Sequence, residues 1–228
     1  MKQILSLALL FLLSVHTCSA YASPDETVSD VIVKMKESNA KIHDMQCLFV
    51  KSIVKNGKQL PPATMSLKYL KEPETIYIEF LDRYKGRKCL YVKGENNGKI
   101  LVRVPGLMKF MKIKMDPRGK QAMEEDIDPM TSMGFGAVID SVEQWYQVSL
   151  TAADFQAELL KDTPVDGGLY HLIAIGAGSE EGGYLHLYVD RDTYLPYRVR
   201  YRLEENSAVY TYKNLQSNTN LSRDDLPF

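Results

Sequence analysis

The stretch LPYRVRYRL, Leu195 to Leu203, alternates strictly. Leu195, Tyr197, Val199, Tyr201 and Leu203 fall on one side, and Arg198, Arg200 and Arg202 on the other. A period of two is the signature of a strand with one apolar face and one wetted face. Sheets that meet water on one side are antiparallel. The remainder of the chain repeats this pattern. Met45–Lys55 is rich in β-branched and aromatic residues and ends at Asn56-Gly57, a hairpin dipeptide. Thr64–Leu70 places Met65, Leu67 and Tyr69 together, and Thr75–Leu81 places Ile76, Ile78 and Phe80 inward. Lys88–Lys93 and Lys99–Val104 flank a turn, Gly94 to Gly98, and Met108–Met115 is a further strand. After a break, Phe155–Leu160, Leu169–Ile175, Tyr184–Val189 and Ala208–Tyr212 read as strands, separated by Asp166-Gly167-Gly168, Glu181-Gly182-Gly183 and Glu204-Glu205-Asn206.

Two segments carry a helical period instead. Ser23-Pro24-Asp25-Glu26 has the chemistry of a helix start, and Val28, Val31, Ile32, Met35 and Ile42 then recur on one face. Between Pro117 and Tyr146, Met130, Met133, Ala137, Val138, Val142 and Trp145 form a helical stripe, with Gly134 and Gly136 delaying the helix to about Ala137. Short connections between strands require antiparallel pairing. A large sheet with one apolar face must curl to bury it. The expected fold is mainly antiparallel β within the α+β class. It is a strongly curved sheet or open half-barrel of about eleven strands, with an N-terminal helix and a helical segment packed in the concave side.

The chain has 228 residues, 45% hydrophobic and 25% charged, with a net charge of -1. These values exclude disordered and collagen-like chains. The balance of 28 basic and 29 acidic residues argues against nucleic acid as a partner. The N-terminus reads as an address: Lys2, an apolar run from Ile4 to Val15, then Ala20-Tyr21-Ala22 as a cleavage site. That is a secretory signal over residues 1–22, leaving residues 23–228 as a single domain delivered to the periplasm. An uncleaved anchor and lipidation at Cys18 are the alternatives.

After cleavage two cysteines remain, Cys47 and Cys89, both within expected strands. An oxidising compartment permits a disulfide between them; buried free thiols are the other reading.

The element order resembles that of the LolA/LolB lipoprotein carriers. More closely, the chain is similar to a family of secreted bacterial proteins of unknown function related to that superfamily. The similar residues are Met45-Gln46-Cys47-Leu48-Phe49-Val50-Lys51, Gly86 to Val92, Asn97 to Leu101, and Val189-Asp190 with Leu195-Pro196-Tyr197-Arg198. The resemblance spans nearly all of residues 23–228. It implies a LolA-like domain that binds acyl chains or lipidated protein in an apolar cavity, without catalysis and without a cofactor.

Six of the ten methionines lie between residues 108 and 133. Methionine is flexible and suits surfaces that accept varied apolar ligands, but it also fills irregular cores. By face, the expected cavity residues are Ile76, Ile78, Phe80, Met108, Met111, Met115, Met133, Val138 and Trp145. The basic run Lys109, Lys112, Lys114, Arg118 and Lys120 offers peripheral contact with anionic headgroups, or the lysine protection of an edge strand. The expected partner is a lipid or lipidated protein, and the expected state a monomer. A protein-binding envelope adaptor is the alternative. A hydrolase built on His171 or His186 is a weaker one, since His43, His171 and His186 have no metal or nucleophile partner at a telling spacing.

Overall fold

The computed structural model describes residues 26–106, 111–177 and 182–228. Several expectations fall outside these residues: the signal segment and Cys18, the Ser23–Asp25 helix start, Met108 with Lys109, and part of the Glu181 turn.

The first helix, α1, runs Val28–Ala40. Its cap is Thr27, whose side chain accepts from the Asp30 N–H while Asp30 bonds back to the Thr27 N–H. This capping box closes two orphan donors, and it lies just past the Ser23–Glu26 segment read from sequence as the helix start. Val28, Val31, Ile32 and Met35 form its buried stripe.

Among the described residues twelve strands follow, one more than expected. They are β1 Asp44–Lys55, β2 Lys58–Gln59, β3 Ala63–Leu70, β4 Thr75–Phe80, β5 Lys88–Val92, β6 Ile100–Arg103, β7 Lys112–Met115, β8 Phe155–Val165, β9 Gly168–Ala177, β10 Tyr184–Asp190, β11 Pro196–Leu203 and β12 Asn206–Ser217. The extra strand is β2, two residues folded back on β1. Asn56 and Gly57 between them both take positive φ, 50° and 70°, as a type I′ hairpin requires.

The sheet order is β7-β6-β5-β4-β3-β1-β12-β11-β10-β9-β8, with every pair antiparallel. The chain starts at the centre and meanders out to one edge at β7. It then crosses to the opposite edge at β8 and meanders back, so that β12 closes on β1. The crossing segment, residues 116–154, therefore has to lie over a face of the sheet. It carries the second helix, α2, Phe135–Ser149. The helix starts two residues before Ala137, with Gly134 as its cap. A Cβ on Gly134 would stand 3.0 Å from the Tyr69 ring, so glycine there eases the close approach to β3. The buried face of α2 is Phe135, Ile139 and Val142, while Val138 and Trp145 are only partly buried.

Both helices and the inward side chains of the sheet form one core. The outer face carries a smaller cluster, where Leu226, with Leu221 and Phe228, covers Leu70, Tyr77, Leu90 and Val92. Tyr77 is thus buried on the side that strand alternation reads as outward.

One open choice is decided, and one expectation is corrected. Cys47 and Cys89 are free and buried. The register runs Cys47 to Leu67, Leu67 to Ile78, and Ile78 to Cys89. Three strand steps of about 4.8 Å put them roughly 14 Å apart, twice the reach of a disulfide. Tyr197 does not face inward with Val199. A bulge pairs Val189 with Pro196 and Tyr188 with Arg198, and Tyr197 instead stacks on Tyr170 at 4.3 Å.

Candidate functional site

Among the described residues, two cavities lie on the concave side, one under each half of the sheet. The first, about 390 Å³, lies over β3 to β7 and is lined by Met65, Ile78, Phe80, Cys89, Ile100, Val102, Val104, Ile113 and Met115. The second, about 320 Å³, lies between α2 and β10–β12 and is lined by Phe49, Val138, Val142, Trp145, Leu185, Val199, Tyr201, Tyr210 and Tyr212. Both volumes fall within the roughly 300–1,000 Å³ of small-molecule sites.

The expected cavity residues divide between them. Ile78, Phe80, Met115 and Met133 line the first, and Met133, Val138 and Trp145 the second. Ile76 is fully buried in the core behind the wall. Met111 is 58% exposed and lines neither cavity: it stands just before β7, beyond the reach of the cover. The methionine cluster is thus part wall and part surface.

Asp126, Asp128 and Met133 line both cavities. They belong to the crossing segment, which partitions the hollow. Polar contacts hold this partition down, and pattern reading had no signal for them. Lys51 of β1 is ion-paired and hydrogen-bonded to Asp126. Lys55 of β1 donates to the carbonyls of Met123, Asp126 at 3.2 Å and Glu124 at 3.3 Å. Tyr201 and Tyr210 both donate to Asp128 Oδ2, Tyr210 at 2.7 Å. Tyr212 donates to the Met133 carbonyl at 3.1 Å. Burial raises the Asp126 carboxyl above the ordinary range, with Lys51 opposing. Burial, then the charge of Asp128, pushes the Tyr201 and Tyr210 phenols well above theirs, so both remain donors at any ordinary pH.

The rim of the first cavity is built on the β4–β5 turn. Arg83 Nη2 donates to Glu125 at 2.6 Å, and the Tyr84 hydroxyl donates to the same carboxylate at 2.9 Å. Tyr84 takes positive φ, 59°, and its ring covers the Arg87 guanidinium at 4.0 Å.

The histidines do not assemble. His171 is buried on the concave face, its Nε2 3.6 Å from Glu26. His186 pairs with Ala174, three residues along β9 from His171 and so on the opposite face; burial, then Arg200, lowers its pKa. His43 is exposed. Among the described residues no group of His, Cys, Asp and Glu could hold a metal ion. Arg198 donates to Asp166 at 2.7 Å and Arg200 to the Tyr184 hydroxyl at 2.9 Å, which makes the arginine row a cross-paired outer face. Lys112 and Lys114 stand exposed on edge strand β7.

An open, strongly curved antiparallel sheet with two helices in its hollow is the class of fold this chain adopts. Within that class, the chain belongs to the family described as protein of unknown function, DUF1571, which it matches over residues 42–227. Among curated proteins, none matches the sequence. The solved structure of the Pseudomonas aeruginosa MucA/MucB complex shares the fold at a TM-score of 0.51 and 16% identity, over 88% of this chain and 60% of that one. The chain therefore spans about three-fifths of that neighbour. Looser likenesses include the Mycobacterium tuberculosis lipoprotein LppX (TM-score 0.45, 9% identity, 86% and 100% coverage). A lipoprotein-sorting protein domain from Vibrio parahaemolyticus is another (0.45, 13%, 87% and 95%).

Proposed function

We propose that this protein is a noncatalytic periplasmic carrier or sensor that holds an acyl chain, free or on a lipidated protein, on the concave side of its sheet. The observation that supports this is the pair of cavities, each walled in part by apolar side chains, divided by a partition fastened through polar groups. Hydrocarbon gains about 0.8 kcal/mol per buried CH₂, so a single chain suffices for tight yet reversible holding. In this reading residues 1–22 direct export and residues 23–228 form the single binding domain. Ile78, Phe80, Met115, Met133, Val138 and Trp145 are the side chains that touch ligand. Lys112, Lys114, Arg118 and Lys120, all exposed, provide weak contact with an anionic membrane surface.

The test is native mass spectrometry of the purified protein together with lipid extraction. A bound or titratable acyl species is the expected result. Complete absence of both overturns the reading.

A second reading, an envelope adaptor that binds another protein, draws on exposed apolar side chains outside the first cavity: Val33, Val148, Leu150 and Leu203. MucB, which shares the fold, has been solved in complex with MucA. This reading expects a crosslinked partner whose yield drops when Val148 and Leu150 become polar.

A further inference from the structure

Three cations line the first cavity: Lys51, Arg83 and Arg87. Two are matched within the chain, Lys51 by Asp126 and Arg83 by Glu125. Arg87 makes no ion pair among the described residues. Its guanidinium lies over the Tyr84 ring at 4.0 Å and near the Phe80 ring at 5.9 Å. Its Nε is shut off from water and has no hydrogen-bond partner. An orphan donor of this kind is uncommon and calls for an explanation. Arg103 carries one too, but on the outer face against Phe228 at 5.2 Å, away from both cavities. Arg87 differs in facing the first cavity, with a charge that no carboxylate among the described residues pairs.

The carboxylates around this cavity are already engaged or wetted. Glu125 takes Arg83 and Tyr84, Asp126 takes Lys51, Asp128 takes two tyrosine hydroxyls, and Glu124 is exposed to solvent. The wall beyond Arg87 is hydrocarbon and sulfur, including Ile78, Cys89, Val102 and Met115. A site with one cation unpaired among the described residues and apolar side chains beyond it has the polarity of an amphiphile.

We propose that Arg87 anchors the anionic headgroup, carboxylate or phosphate, of a single-chain amphiphile whose tail lies in the first cavity. This rests on the acyl-binding reading and adds the charge of the ligand to it. The guanidinium fork matches both head types bidentately. Tyr84, held by Glu125, fixes the plane of the guanidinium so that its remaining donors stay available.

The experiment is calorimetric titration of the full chain with decanoate, decyl phosphate, decanol and inorganic phosphate. It is repeated for Arg87→Met, Arg87→Lys and, as an outer-face control, Arg103→Met. The two anionic chains bind at least about tenfold more tightly than decanol, the scale of one charge-assisted hydrogen bond. Arg87→Met abolishes that preference and leaves decanol binding within about twofold; Arg103→Met leaves the preference intact. Arg87→Lys keeps only part of it, and carries the test should Arg87→Met fail to fold. The ratio of decanoate to decyl phosphate identifies the head. Inorganic phosphate binding as tightly as decyl phosphate overturns the amphiphile in favour of a free anion site. Decanol binding as well as decanoate, with no effect of Arg87, overturns the headgroup anchor while acyl binding stands. If no chain binds at all, both fall together.

Discussion

Lys51 and Asp126 form an ion pair between the centre of the sheet and the segment that crosses it, with side chains only 9% and 21% exposed. This pair, with Lys55 beside it, ties the partition to β1, the strand on which both halves of the fold are built. Desolvation wins over attraction at Asp126, whose pKa is raised in spite of the lysine. The pair therefore specifies where the segment sits more than it stabilises the fold.

Breaking this pair is costly and replacing it is not. Asp126→Leu alone leaves Lys51 buried and unanswered and should cost about 3 kcal/mol. Lys51→Met with Asp126→Leu should recover most of that loss, because two apolar side chains need no partner there. Urea unfolding of the two singles and the double closes the cycle. A double variant as unstable as the sum of the singles rules out this account.

Asp128 is shared by two tyrosines. Tyr201→Phe or Tyr210→Phe alone leaves one donor in place and should cost about 0.5–1.5 kcal/mol. The double change strips the carboxylate of both and should exceed the sum by about 1 kcal/mol. A loosened partition joins the two cavities, so the double variant should also favour palmitate over decanoate more than the parent does. Both quantities come from denaturation and displacement titrations on the same samples.

Filling a cavity separates binding from folding. Ala122 lines the first cavity and Val138 the second. Ala122→Phe and Val138→Phe each place a ring in empty space, with an expected change in stability within about 1.5 kcal/mol. Whichever one abolishes copurified lipid while Tm holds identifies the occupied cavity. Full lipid retention in both variants contradicts the proposed site.

The two thiols should be inert in the folded protein. Burial pushes both Cys47 and Cys89 up to about 12, against about 8.5 in an unfolded chain. The native state therefore holds these protons where the unfolded state has released them. Their contribution is complete below about pH 8.5 and is lost as pH rises towards 12, by up to about 1.4 kcal/mol per unit and per thiol. Alkylation at pH 8 should label neither until denaturant is added, and oxidation should not join them. Rapid native labelling would show that the strands carrying them open.

Much of the fold was legible in the chain because strand alternation and hairpin dipeptides are local signals. Asn56-Gly57 marks the β1–β2 turn, and Met65, Leu67, Ile76 and Ile78 alternate into the core as read. The reading failed where a neighbour outside the local pattern decided the outcome. The bulge at Pro196 turns Tyr197 outward, Leu226 and Phe228 cover Tyr77 on the outer face, and Tyr69 favours glycine at 134. Among the expected side chains, Ile78, Phe80 and Met115 line a cavity from one face of their strands, while Ile76 and Met111 line neither, because depth and position across the sheet matter.

By itself the sequence determined the elements, their antiparallel character and the greasy inner face, since periods of two and of about 3.6 residues are written along the backbone. Only the tertiary structure decided that Lys51 meets Asp126, that Tyr201 and Tyr210 share Asp128, that Cys47 and Cys89 stand apart, and that Arg87 makes no ion pair among the described residues. The first two depend on pairing β1 with β12 and laying residues 116–154 across the hollow, and the last two on the order of β1, β3, β4 and β5 in the sheet. Contacts between residues far apart in the chain arise from that closure, and no local period encodes them.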